Sequence, residues 1–485
     1  MSRLLAVVNV VGLIVALFGF ALLLPIMVSW AVGDGALAAY GAALVISVGG
    51  GSGMWGLTRN YRRELTPRDG FLMVVMIWTV LSAIAALPLY SYIPGLSFTE
   101  AYFEATSGLT ATGATVLSNL DQLPPSLNVW RTELHWIGGL GIIVLAVAIL
   151  PMLGVGGREL FRAEIPGPMK ETKLTPRITQ TAKGFWAIYV ALTGLCFLAY
   201  HWAGMGWLDA LMHAFSTMAL GGFSSHDASL GYFNSPLIEA VAIVFMFVAG
   251  INIATHFLAL QRRSLSAYLR DIEARAFVTV LLGSMLGLTL FLWARGVYPD
   301  FLTSLRYASF NTASVATTLG FSNTDYGQWP LFAPLWMLFL CTFVACSGST
   351  GGGIKMIRAR LLVEQMFRET TGLIHPHAEL PVRVGDAVVP NQIVFAVLAF
   401  MSFYGASLVT IVLLLVLTGL DLVTAVSAGV ACLNNTGPGL GQVGPATTYA
   451  VLNDLQTWVC SFAMLLGRLE LFTLIVVFTP HFWSD

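Results

Sequence analysis

The sequence predicts an all-α integral membrane protein: four tandem repeats of helix, short re-entrant helix, loop and helix around one pseudo-four-fold axis, preceded by a two-helix N-terminal hairpin. Three observations predict it. First, 57% of the 485 residues are hydrophobic and 10% are charged, whereas a water-soluble chain carries about a quarter charged residues. Second, apolar stretches of about 20 residues, each long enough to cross a hydrocarbon core as a helix, recur along the whole chain. Third, a short apolar segment followed by a glycine-bearing turn recurs four times in the same order.

The hairpin comprises helices at 4–30 and 36–57 joined by the turn Ala31–Gly35. Its first apolar run follows Arg3 but is about twice the length of a signal-peptide core, so it reads as a retained membrane helix. The repeats follow. The first has a helix at 70–92, a short segment at 97–108 and a helix at 130–155; the second has 184–204, 207–217 and 235–261. The third has 275–295, 301–313 and 331–345 with a continuation beyond a glycine run, and the fourth has 391–418, 421–433 and 454–478. The resulting units are 1–58, 70–156, 184–262, 275–368 and 391–480.

Basic residues orient these helices, because cytoplasmic loops carry the Lys and Arg excess. With the N-terminus inside, the cytoplasmic segments are the extreme N-terminus, 58–69, 157–183, 262–275 and 355–390, which hold 20 of the 24 Lys and Arg; Arg131, Arg295, Arg306 and Arg468 lie elsewhere. The four short segments then all lie on the outer side. At about 11 to 13 residues they are too short to span and too apolar to be free loops, so they read as half-helices that dip in and return. Each begins near a carboxylate (Glu100, Asp209, Asp300, Asp421), which favours a helix N-terminus, and Ser97 stands three residues before Glu100 in a capping-box pattern.

The turns after the short helices are Thr110-Ala111-Thr112-Gly113, Ala219-Leu220-Gly221-Gly222, Thr317-Thr318-Leu319-Gly320 and Asn434-Asn435-Thr436-Gly437. Aligning the last glycines gives intervals of 109, 98 and 117 residues and puts Ser107, Ser216, Ser314 and Ala431 in one column. In a chain with 48 glycines a single one means little, but an ordered motif once per repeat does. Stripping water from a cation requires oxygen ligands in its place. Consecutive carbonyls can face one axis only in unusual dihedrals, which glycine permits at φ > 0. Irregular backbone at membrane depth is tolerable where it lines a cavity, and helix C-termini aimed inward add attraction for a cation. Four such loops around one axis make a cation pore; the bland alternative is glycines used for tight turns between packed helices.

These residues resemble the Trk/Ktr/HKT superfamily of potassium transporters over roughly 70–480, and the additional N-terminal hairpin resembles the bacterial Trk-type membrane subunit. The resemblance implies potassium as the transported ion. It implies filter oxygens from Ala111–Gly113, Leu220–Gly222, Thr318–Gly320 and Asn435–Gly437, flanked by Thr110, Ala219, Thr317 and Asn434. Glycine at all four aligned positions resembles potassium-selective members, whereas serine in the first repeat accompanies sodium-permeable relatives. The loops differ in sequence, so the symmetry is approximate.

A second feature interrupts the long helix of repeat three: Cys346-Ser347-Gly348-Ser349-Thr350-Gly351-Gly352-Gly353-Ile354-Lys355. Each glycine there costs about 1 kcal/mol against alanine in a helix, so the helix breaks, either as a packing kink or as an intramembrane obstruction. The resemblance implies the obstruction: a gate loop below the filter. Arg468 falls in the last span, where a cation facing lipid would cost several kcal/mol. It is read either as a structural partner of Glu470 or, as the resemblance implies, as a pore-facing residue near the gate loop.

Five cysteines (Cys196, Cys341, Cys346, Cys432, Cys460) show no CxxC pair and read as small core residues. The histidines show no paired metal-ligand spacing, and His213 and His256 read as polar members of helix packing. No dinucleotide or P-loop motif is found, so the chain reads as a non-enzyme with no organic cofactor. A net charge of −1 argues against nucleic acid as a partner. Beyond membrane lipid, the resemblance implies a homodimer and a cytosolic nucleotide-binding regulatory ring, seated on the basic stretches 157–183 and 262–275, in a bacterial inner membrane. Two competing classes make other demands on the sequence. A coupled symporter calls for inverted repeats and a buried acidic site, yet these repeats run parallel. An intramembrane protease calls for a base beside Ser347 or Ser349, and no histidine is so placed.

Overall fold

A computed structural model describes residues 2–61, 66–144, 178–385 and 387–484. The basic stretch 157–183 lies almost wholly outside the described residues, as does the part of the first repeat's last helix beyond Val144. The hairpin is α1 (Ser2–Phe18) and α2 (Leu23–Val32), continuous through a 3₁₀ turn, and then α3 (Leu37–Thr58). Gly33, at φ 72°, ends α2 with a left-handed residue, the usual way of reversing a chain at a helix C-terminus. Repeat one follows as α4 (Pro67–Tyr92), α5 (Phe98–Leu109) and α6 (Pro125–Val144), and repeat two begins with α7 (Ile178–Trp202) and α8 (Trp207–Ala219).

The four short helices are present, and local chemistry explains their starts. Ser97 and Glu100 form the expected capping box, with Ser97 N donating to Glu100 Oε2 at 2.8 Å. Asp300 caps α13 (Phe301–Ala316) and Asp421 caps α17 (Leu422–Leu433). Asp209 also stands at the start of its helix, as expected, though not as the cap. It sits in the first turn of α8, and its carboxylate accepts from Ser225 Oγ at 2.8 Å rather than from the helix amides.

The long second helices differ from the sequence reading. Repeat two's is two helices, α9 (Pro236–Gly250) and α10 (Ile253–Arg262), bent by 91°. After the five-residue α11 (Ser266–Arg270) and the long α12 (Ile272–Ala294), repeat three's breaks from α14 (Phe332–Cys341) into a loop that runs to α15 (Met356–Ile374). Repeat four's first helix is α16 (Asn391–Leu417). Its last is α18 (Asp454–Arg468) and α19 (Leu471–Val477), bent by 116° at Glu470, φ 53°. The sequence reading anticipated the glycine-rich break alone. The others turn on ordinary residues: Asn252 caps α10 by accepting from Ala254 N at 2.9 Å, and the backbone freed there pairs with repeat three through Cys346 N to Gly250 O and Ile253 N to Gly348 O, which makes that break tolerable at membrane depth. A small antiparallel pair, Arg383–Val384 with Ala387–Val388, was not anticipated.

Among the described residues six helices are long and apolar enough to cross a membrane, and up to eight with each bent pair counted as one span. The chain is a multi-pass membrane protein. Inside it, burial is driven by close packing and satisfied polar groups, lipid being as apolar as the core. The five cysteines are buried and free, as expected, and His213 bridges Asp209 O (2.8 Å) and Ser224 Oγ (2.9 Å) within the helix packing. His256 likewise bridges Val248 O and Tyr268 Oη.

Candidate functional site

The last residues of each short helix build one repeated turn. The amide five residues on returns to the column found in the sequence: Thr112 N to Ser107 O (2.9 Å), Gly221 N to Ser216 O (2.9 Å), Leu319 N to Ser314 O (2.8 Å) and Thr436 N to Ala431 O (2.8 Å). Two left-handed residues follow in each loop, two positions apart: Ala111 and Gly113 (φ 50° and 85°), Leu220 and Gly222 (53°, 85°), Thr318 and Gly320 (67°, 86°), Asn435 and Gly437 (54°, 91°). Alternating hand turns successive carbonyls toward the same side instead of opposite sides. Three non-glycine residues with side chains beyond Cβ thus accept a strained conformation of about 1–2 kcal/mol each, held by burial: Leu220, Thr318 and Asn435 are at most 1% exposed.

The four turns meet. A Cβ added to Gly113 would run into the carbonyl oxygen of Gly221, one on Gly222 into that of Leu319, one on Gly320 into that of Thr436, and one on Gly437 into that of Thr112. Each repeat's glycine thereby abuts the oxygen of the next, and the fourth returns to the first, so the ring closes. All four glycines also line a single cavity of ≈ 300 Å³ together with Thr115, Arg131, Ser224, His226, Asp227 and Tyr449. The ring is not uniform. Gly437 O accepts from Tyr449 Oη at 2.8 Å, Asn435 Nδ2 donates to Thr112 Oγ1 at 2.9 Å, and Thr110 and Thr112 share a hydroxyl contact of 2.7 Å.

Behind the ring lies a group that the sequence reading missed. Glu104, fully buried in α5, pairs with Arg131 of α6 at 2.8 Å. The carboxylate also accepts from Thr115 Oγ1 and Val116 N, both at 2.9 Å, and so braces the strand that leaves Gly113. Arg131 reaches across to repeat two, donating to Ser224 O at 3.1 Å and lying 4.3 Å over the Phe223 ring. Its signal was in the sequence: Arg131 is one of four basic residues off the charge-biased face. Arg306 is another, and it pairs with Glu239 between repeats two and three at 2.7 Å.

On the opposite side, the loop of repeat three lies against the inner ends of the short helices. Thr350 Oγ1 donates to Met218 O (2.9 Å) and Gly352 N to Thr318 Oγ1 (2.9 Å). A Cβ on Gly352 would collide with Asn434 O, and one on Gly351 would lie 3.1 Å from Thr317 O. Only glycine lets the backbone approach this closely. Gly348 and Gly353 take φ 69° and 81°, and Lys355, φ 80°, folds Nζ back on Gly351 O. Ser349 Oγ donates to Cys346 O at 2.6 Å.

Arg468 ends α18, fully buried, and donates to Thr350 O at 2.9 Å and Gly138 O at 3.2 Å. It does not pair with Glu470, correcting that alternative: the break at Leu469–Glu470 turns the carboxylate away, and Glu470 pairs with Arg358 of α15 at 2.9 Å.

At the mouth of this cavity His226 lies between two carboxylates, hydrogen-bonded to Asp121 and 3.4 Å from Asp209, and stacks on Tyr232. Burial lowers its pKa, but the neighbouring carboxylates of Asp209 and Asp121 outweigh this and hold it above the ordinary 6.5. A histidine raised on folding stabilises where it is protonated. This link between loops of repeats one and two is therefore full below 6.5 and lost as pH rises through the raised value. Thermal unfolding of wild type and His226→Asn from pH 5.5 to 8.5 should show a gap that closes with rising pH; a constant gap would contradict the assignment.

A multi-pass helical membrane protein with one closed, carbonyl-lined ring and a loop beneath it belongs to the class of membrane cation-transport proteins. Residues 38–485 match the TrkH cation transport protein family, and the chain belongs to that family. It is 46% identical over 481 residues to the Trk system potassium uptake protein TrkH of Salmonella typhimurium, covering 99% of each chain. It is 47% identical over 479 residues to that of Halomonas elongata, covering 98% of each. The crystal structure of the potassium transporter TrkH from Vibrio parahaemolyticus superposes with a TM-score of 0.91 at 42% identity, covering 99% of this chain and 100% of that one.

Proposed function

We propose that the chain carries potassium into the cell along the axis of the ring, as a gated K⁺-selective pore that also admits rubidium. The observation that carries this reading is ring closure: four carbonyls, from Thr112, Gly221, Leu319 and Thr436, each beside the preceding repeat's glycine. Relatives named as potassium uptake proteins support the choice of ion. Backbone oxygens of Thr110–Gly113, Ala219–Gly222, Thr317–Gly320 and Asn434–Gly437 replace the water of a dehydrated K⁺, and the units 70–156, 184–262, 275–368 and 391–480 each supply one wall. No group other than the transported ion is called for. A coupled symporter is not favoured, since the short helices converge on one ring rather than forming an inverted pair.

Gly348–Gly353, with Lys355, form the gate, and Arg468 anchors it while adding positive charge on the ion's path. The membrane is the bacterial inner membrane with the N-terminus cytoplasmic, and the working assembly is a homodimer docked on a cytosolic nucleotide-binding ring, in keeping with relatives named as parts of a Trk system. Rubidium uptake into liposomes under a potassium gradient tests the reading: block by potassium and not by sodium is expected, and absence of uptake even after deletion of 348–353 would sink it. Arg468→Gln removes the charge and loosens the tie to Thr350. Uptake should rise about tenfold or more, as a charge-assisted hydrogen bond is worth about 1.5–3 kcal/mol, read by the same flux assay.

A further inference from the structure

The loop beneath the ring is held not only from the axis but from its own two ends, by backbone bonds such as Met356 N to Ala345 O at 2.9 Å and, from outside the loop, by one side-chain atom that reaches both ends. Glu273, in the first turn of α12 and 4% exposed, accepts at Oε1 from Ser347 N at 2.6 Å and from Ile357 N at 3.1 Å. Ser347 precedes the glycine run and Ile357 lies in the first turn of α15, so a single oxygen draws together the start and finish of a ten-residue excursion. α15 has no capping side chain of its own, its N-cap being Lys355 at φ 80°. The carboxylate of Glu273 takes that place, where a helix N-terminus favours a negative charge.

The surroundings make Glu273 a fixed post. Asp271 caps α12 through Glu273 N (3.0 Å) and Ala274 N (3.2 Å) and accepts from Thr255 Oγ1 of α10 at 2.6 Å. Beside it, the break in repeat two gives its freed backbone to the same loop: Cys346 N donates to Gly250 O (3.2 Å) and Ile253 N to Gly348 O (3.1 Å). The loop's middle, by contrast, touches the short helices through glycine backbone and one threonine hydroxyl. Moving Gly351 and Gly352 off the axis requires the two ends to separate or rotate, and both are bonded to one carboxylate oxygen.

We propose that Glu273 is the latch of this loop, a positioning residue whose carboxylate holds both ends so that the glycines stay under the ring, and whose release precedes conduction. The inference rests on the reading of 348–353 as the gate. The test is amide hydrogen exchange across 343–358 in Glu273→Ala and Glu273→Gln, with rubidium flux measured on the same proteins and on a 348–353 deletion. Glu273→Ala should raise exchange at Ser347 and Ile357 at least about tenfold, leave the rest of α12 protected and raise flux. Glu273→Gln keeps an acceptor oxygen in place and should recover most of the protection, which a general loss of packing would not do. Unchanged exchange in both variants overturns the latch, whatever the flux. Raised exchange with raised flux in the deletion but not in Glu273→Ala also overturns it. Raised exchange with no flux change in either marks failure of the gate reading, and the latch as a control of conduction falls with it. Should Glu273→Ala not fold, the glutamine variant, with partial rises in exchange and flux, decides alone.

Discussion

Gly113→Ser should reduce rubidium uptake at least about tenfold and make the remainder sensitive to sodium. At φ 85° a residue bearing Cβ is strained by about 1–3 kcal/mol, and here the Cβ is also aimed at the carbonyl oxygen of Gly221. The oxygen must retreat, and with it one wall of the ring. A site that replaces a hydration shell discriminates by the positions and number of its dipoles, so displacement lowers both flux and preference. Uptake competition by sodium, compared with wild type at equal protein per liposome, reads both effects. An unchanged potassium preference would remove Gly113 from the ring. The result would say nothing against the proposed gate, whose residues lie on the other side of the ring.

Glu104→Gln should destabilise the protein more than any substitution on its lipid-facing surface. Arg131 would keep its charge in a site where both side chains are at most 1% exposed, and breaking a buried pair from one side costs about 3–5 kcal/mol. The hydroxyl of Thr115 and the amide of Val116 that the carboxylate collects would lose a charged acceptor as well. Thermal unfolding in detergent should show a lower midpoint, and potassium preference should fall because the strand leaving Gly113 is no longer braced. The double variant Glu104→Gln/Arg131→Met should recover part of the midpoint, since it leaves no unpaired charge. If the single variant unfolds like wild type, the pair is not what supports the ring.

Much of this was legible in the residues. Ser107, Ser216, Ser314 and Ala431 fell into one column by glycine alignment alone, and their carbonyls do accept the same five-residue return bond in each repeat. The glycine run at 348–353 declared a break through helix propensity. Arg131 and Arg306 stood out as charges on the wrong face, without any hint of their partners. The breaks at Ile251–Asn252 and Leu469–Glu470 were not legible, because neither site holds a residue that refuses a helix. The first is stabilised by what its exposed backbone meets in repeat three, and at the second the Glu470 side chain pairs with Arg358 of repeat three.

What the sequence determined by itself was the membrane as solvent, the order of the four short helices and their turns, and the four places where backbone must turn left-handed. These follow from local properties: hydrophobic length, capping carboxylates and the freedom of glycine. What only the tertiary structure decided was that the four turns close one ring, that Arg468 answers Thr350 rather than Glu470, and that Glu273 reaches the loop of repeat three. Each of these depends on which distant group is available to satisfy a buried charge or amide. That choice is made by packing, since inside a membrane an unpaired polar group has no water to turn to.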